Sequence, residues 1–246
     1  MKKFLAILLT LAMCFALAAC SGGGQQPEPE PEAPDLNAKS EGVMTYEEYA
    51  AADIGSEVTI EGYVQAAASW WNDQISVYAQ DLTGAYYIED MACTEEESEG
   101  LVPGKLIKVT GTKFERDGEI GISGGTFEPA EVDYEYIALP LDVTAILDTD
   151  EMIKYQNMYV RFSGMEVTGE PVFKWDGSGE NGDDIYFQVG KDDQVFTFMV
   201  KSDLTGTGTD VYEGVKKLKA GDIVDLEGFC CWFDGLTPHI TSVTMK

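Results

Sequence analysis

The side chains with the most binding chemistry in this chain are aromatic. The run SWWNDQISVYAQ, residues 69–80, sets Trp70 and Trp71 before a strand whose outward positions carry Tyr78 and Gln80. A related pattern returns later as Trp175 followed by Tyr186 and Gln188, and Trp232 stands near the last strand. Indole and phenol rings stack on sugars, nucleobases and other planar groups, while a neighbouring amide supplies hydrogen bonds. The same rings also serve to close a barrel mouth or a contact between domains. Ligand surface and internal seal both fit these residues.

Catalytic chemistry is far less evident. The single histidine, His239, lies in the last strand, and Cys230 and Cys231 lie on the strand expected beside it. There is no HExxH, phosphate-binding glycine loop or dinucleotide fingerprint, and the one GxSxG spelling, GISGG at residues 121–125, falls within a closing hairpin instead of a strand-to-helix turn, so no catalytic residue is assigned. The loop WDGSGENGDD offers oxygen ligands at Asp176, Ser178 and Glu180, with Asp183 and Asp184 following. As an EF-hand it fails: glycine falls at Gly182 instead of the sixth position, and the twelfth is Phe187 instead of glutamate. The loop is then either a calcium site of another kind or a plain polar connection. No other cofactor is implied.

The elements that position these residues begin after an address segment. Residues 1–19 combine Lys2 and Lys3 with the apolar run LAILLTLAMCFALAA, as a secretory leader does. The segment Leu17-Ala18-Ala19-Cys20 resembles the lipobox of bacterial lipoproteins. That resemblance implies cleavage before Cys20, acylation of its thiol and anchorage in the lipid bilayer of the cell membrane, facing outward. An ordinary leader with a chance cysteine is the alternative. Residues 20–42, rich in Gly and in Pro-Glu alternation, read as a disordered tether.

The chain carries 44 acidic against 16 basic residues, a net charge of −28, and loss of the leader removes two lysines more. Such a field opposes phosphate backbones, so nucleic acid is disfavoured as a partner. Of the five cysteines, Cys93, Cys230 and Cys231 remain in the folded part. They show no CxxC spacing and read as small buried side chains, with a bridge from Cys93 to one of the others as the alternative.

Short alternating runs rich in Val, Ile, Thr, Tyr and Phe indicate β-structure. The order of three strands, a helix and two strands occurs twice. Gly104, Gly111, Asp117 and Gly118 recur as Gly221, Gly228, Asp234 and Gly235, all displaced by 117 positions. This is the order of an OB-type barrel. The expected architecture is therefore mainly β: two tandem OB-like five-stranded barrels, each with a helix between strands 3 and 4. Residues 43–128 form the first and 152–246 the second. Between them, residues 129–151 are a connector whose Leu141, Val143, Ile146 and Leu147 pack on a barrel. Paired barrels of another kind or a β-sandwich are the competing architectures. The runs MTYEEYAAADIGSEVTIEGYV, SWW, YAQD, KWDGSGENGDD and PHITSVT resemble those of uncharacterised bacterial surface lipoproteins with tandem OB-like domains.

OB barrels present ligands on the outer face of strands 2 and 3 and the loops beside it. Trp70, Trp71, Tyr78, Gln80, Trp175, Tyr186, Gln188 and Trp232 all fall there. The expected function is a non-enzymatic, lipid-anchored binding module for a glycan, peptide or envelope protein. A structural spacer of the envelope is the alternative.

Overall fold

The computed structural model describes residues 38–130, 132 and 134–246. The leader, Cys20 and the tether up to residue 37 lie outside the described residues. Lys39, within the stretch read as tether, is docked: its Nζ donates to Asp81 Oδ2 at 2.6 Å and to the Glu61 carbonyl at 2.8 Å.

A short helix, α1 (Tyr46–Ala51), opens the fold, capped by Thr45 and Glu48 in reciprocal hydrogen bonds. The first barrel follows as β1 (Glu57–Ala67), β2 (Gln74–Gln80), β3 (Ala85–Ala92), α2 (Glu95–Ser98), β4 (Leu106–Arg116) and β5 (Glu119–Pro129). Its strands close in the order β1-β2-β3-β5-β4. Every neighbour is antiparallel except β3 and β5, which run parallel at Ile88–Ile122 and Glu89–Ser123. Alternation decides which side chains enter. Val58, Ile60 and Val64 of β1 meet Ile75, Val77 and Ala79 of β2 inside.

The connector contributes β6 (Leu141–Asp142) and two 3-10 turns, Thr144–Ile146 and Asp150–Tyr155. Val143 and Leu147 are buried in the second core, and Ile146 packs on its edge. Leu141 departs from expectation: it is 44% exposed, because β6 adds to the outer edge of the second sheet and leaves that side chain unopposed.

The second barrel comprises β7 (Tyr159–Val167), β8 (Val172–Phe173), β9 (Ile185–Lys191), β10 (Gln194–Val200), α3 (Asp210–Val215), β11 (Ile223–Phe229) and β12 (His239–Met245). The sheet runs β6-β7-β11-β12-β10-β9-β8, and β7 pairs with β9 to close it. Stripped of the edge strands β6 and β8, this is the connectivity of the first barrel. The protein is thus two OB-like barrels in tandem.

The backbone repeats at the spacing found in the sequence. Asp117 and Asp234 both have φ of 51°, and Gly118 and Gly235 follow at 86° and 129°, the left-handed geometry of a tight hairpin turn. Gly111 and Gly228 stand at ladder irregularities of β4 and β11. A Cβ on Gly228 would lie 2.2 Å from the His239 carbonyl, and one on Gly111 2.7 Å from Ile122. These strands therefore approach their partners only where no side chain intervenes.

Candidate functional site

The outer faces of β2–β3 and of β9–β10 are equivalent in topology, and they meet different surroundings. On the first barrel the face is covered. Tyr78 is 1% exposed, stacks on Phe229 with ring centroids 4.3 Å apart and planes 20° from parallel, and places its hydroxyl 2.6 Å from His239 Nδ1. Gln80 Oε1 accepts from the Tyr159 amide at 2.9 Å. Tyr78 and Phe229 form with Tyr87 and Cys231 an apolar cluster of their own, a seam between the two cores. Trp232 belongs to the same junction. Its backbone amide donates to Glu119 Oε2 at 2.7 Å, and its half-buried indole packs on the second core.

Tyr78 and Gln80 are therefore not ligand-facing, contrary to the expectation from the sequence, and Trp232 borders a small hollow of about 300 Å³ beside Met152 and Leu236. Alternation correctly turns Tyr78 and Gln80 out of their barrel. What lies outside at that point is the second barrel instead of water. Trp70 is also structural: half-buried on the first core, it donates from Nε1 to the Cys93 carbonyl at 2.7 Å. Its neighbour Trp71 is 73% exposed on a two-residue turn formed by Asn72 and Asp73, at φ of 51° and 60°. It does not line the open face of the second barrel.

That face, β9 and β10, carries a groove of about 760 Å³. Its floor holds Tyr186, Gln188, Val195 and Thr197, Trp175 forms one wall, and the loop 233–237 with Phe233 and Leu236 forms the other. Trp175 is 75% exposed and Phe233 57%. The charged side chains of the lining, Glu170 and Asp234, are both acidic. Val195, Thr197, Glu170 and Asp234 escaped the sequence reading. The alternation of QVFTFMV contained the signal for the first two: Phe196, Phe198 and Val200 turn inward, so Val195 and Thr197 face out.

The calcium reading meets a different arrangement. Asp176 Oδ1 accepts from the Ser178 amide and hydroxyl at 3.0 and 2.7 Å. Asp183 Oδ2 accepts from the Glu180 amide at 2.9 Å and faces Lys174 at 3.4 Å. Asp184 Oδ1 turns away to the Ser202 amide and hydroxyl, both at 2.7 Å. Asp176 and Asp183 are taken up within their own loop and Asp184 by Ser202, so the five residues do not converge. Among the described residues no three Asp, Glu, His or Cys side chains gather at a metal-sized site.

His239 and the cysteines form no nucleophilic pair. Burial, reinforced by the Lys201 charge, pushes the imidazole down to about 3, so it is neutral. Burial pushes both thiols up, with Glu119 adding to the effect, which suppresses thiolate formation. Cys93, Cys230 and Cys231 are all free and buried.

No protein-family model matches the chain, and no curated protein is significantly similar to it. Among solved structures, similarity is found to a murine DNA-binding protein bound to double-stranded DNA, at 11% identity and a TM-score of 0.37, covering 76% of this chain and 96% of that one. A HINa domain in complex with 20-bp double-stranded DNA matches at 13% identity and 0.35, covering 78% and 98%. A single-stranded DNA-binding protein from Thermus aquaticus matches at 12% identity and 0.26, covering 79% and 94%.

Proposed function

We propose that the protein is a non-enzymatic binding module, anchored outside the bacterial cell membrane through acylated Cys20, that takes its ligand on the β9–β10 face of the second barrel. One observation carries the reading of the site. The two barrels offer equivalent faces, the first is filled by the second barrel, and the second remains an open aromatic groove lined by Trp175, Tyr186 and Phe233. Rings exposed on a rigid sheet provide contact area at little cost in side-chain entropy, as binding surfaces require. The anchor rests on the leader and on the resemblance of residues 17–20 to a lipobox.

The first barrel favours the second reading, a structural spacer, for its own part: its would-be ligand face is consumed in holding the second barrel. We assign it the role of pedestal. Two measurements test the proposal. Metabolic labelling with a palmitate analogue should mark the wild-type chain and not Cys20→Ser; labelling of both removes the anchor. Tryptophan fluorescence against panels of oligosaccharides and peptides should change for wild type and not for Trp175→Phe. A response that survives this substitution moves the site elsewhere.

A further inference from the structure

The groove has a second property besides its aromatic walls. In the β9–β10 ladder, Met199 donates its amide to the Pro238 carbonyl at 3.0 Å, away from β9. Peptide groups alternate in direction along a strand, so Thr197 and Val195 point the same way. Yet β10 pairs with β12 only at Met199–His239, and among the described residues nothing takes up the outward peptide groups of Val195 and Thr197. In the first barrel, by contrast, β5 begins early at Glu119 and lies close against β3: a Cβ on Gly121 would sit 2.6 Å from the Tyr87 carbonyl. At the position displaced by 117 residues the second barrel has Pro238. A proline ring cannot enter that approach and has no amide to donate. Strand β12 therefore starts only at His239, and the loop 233–237 stands off as the far wall of the groove.

We infer that the groove binds an extended, basic peptide segment, which adds as a strand to the free edge of β10 at Val195 and Thr197. This rests on the groove being the ligand site, as proposed above. Two residues offer two donors and two acceptors, and side chains of the incoming strand alternate between the groove, floored by Tyr186 and walled by Trp175, and the opposite face. Charge selects the partner. Glu170 and Asp234 line the groove, and Asp192 and Asp193 lie at the β9–β10 turn. These acids repel the edge of a second copy of this acidic chain and attract lysine and arginine flanking an extended segment.

The test uses the full chain and an array of ten-residue peptides of net charge from −3 to +3, followed by fluorescence titration of the best binder. Basic peptides are expected to bind and acidic ones not, with a signal lost in Trp175→Phe. Resynthesis with single N-methyl groups should weaken binding about tenfold or more at alternate residues and less than about twofold at the residues between, since every other amide faces β10. Val195→Pro should reproduce the tenfold loss while Val195→Ala does not. Binding that ignores the position of the N-methyl group overturns strand addition while leaving the groove as the ligand site. So does binding of a neutral oligosaccharide or single-stranded oligonucleotide there with no peptide bound. Silence of Trp175 to all three probe classes overturns both readings together.

Discussion

Tyr78 and Gln80 of the first barrel and Tyr186 and Gln188 of the second occupy the same strand, the same spacing and the same outward direction, yet they meet opposite fates. The first pair is buried against Phe229, His239 and Tyr159. The second lies open beneath Trp175. Local sequence sets the direction of a side chain, and the neighbour beyond the barrel sets its role. In a tandem of equivalent barrels, one binding face is spent on the assembly and the last one is left available.

The sharpest way to break this comparison is to truncate the paired tyrosines. Tyr78→Ala should cost about 3–5 kcal/mol, the range for deleting a buried aromatic, whereas Tyr186→Ala should stay within about 1 kcal/mol and act on binding instead. Denaturant unfolding of the two variants decides the matter. Equal losses would mean that both faces are structural.

A second difference is titratable. Glu119 sits in the seam, 7% exposed, with Oε1 buried and without a partner among the described residues. Burial pushes its carboxyl up to about 8 from 4.5, with Glu89 adding to the shift and the Trp232 amide and Arg116 opposing it. The folded state then holds this proton more tightly than the unfolded chain. Its contribution to stability is full below pH 4.5 and is lost as pH rises toward 8. Glu119→Gln should flatten that decline and, at pH 9, stabilise the protein by about 1–3 kcal/mol. Melting temperatures across pH 5–9 provide the check, and a wild-type curve that rises through the window would contradict the burial argument.

The adjacent tryptophans offer a smaller contrast of the same kind. Trp70→Phe removes the bond to the Cys93 carbonyl and should cost about 1 kcal/mol. Trp71→Phe, on an exposed turn, should change stability by less than about 0.5 kcal/mol. The least effect of all is expected from calcium. With the carboxylates of Asp176, Asp183 and Asp184 diverging, millimolar calcium should leave the melting temperature unmoved.

The barrels themselves were legible in the sequence because their demands are local. A turn with φ of 86° at Gly118 calls for glycine wherever it recurs, and Val58, Ile60 and Val64 announce an inward face by alternation alone. What lies outside a barrel leaves no such periodic mark. Alternation turns Tyr78 and Tyr186 outward alike, and only long-range packing distinguishes a seam from a groove. The sequence also holds the cause of the open edge, Pro238 in place of Gly121, but its meaning needs the knowledge that β3 passes beside it.

The three folded thiols fall one to each apolar cluster: Cys93 in the first core, Cys230 in the second and Cys231 in the seam. The molecule thus carries its own clock for local opening. Under a slow alkylating reagent, Cys231 reports separation of the barrels, and Cys93 and Cys230 report unfolding of one barrel or the other. If the pedestal and the binding barrel come apart before either melts, Cys231 reacts first. If the seam is the last contact to yield, all three react at one rate.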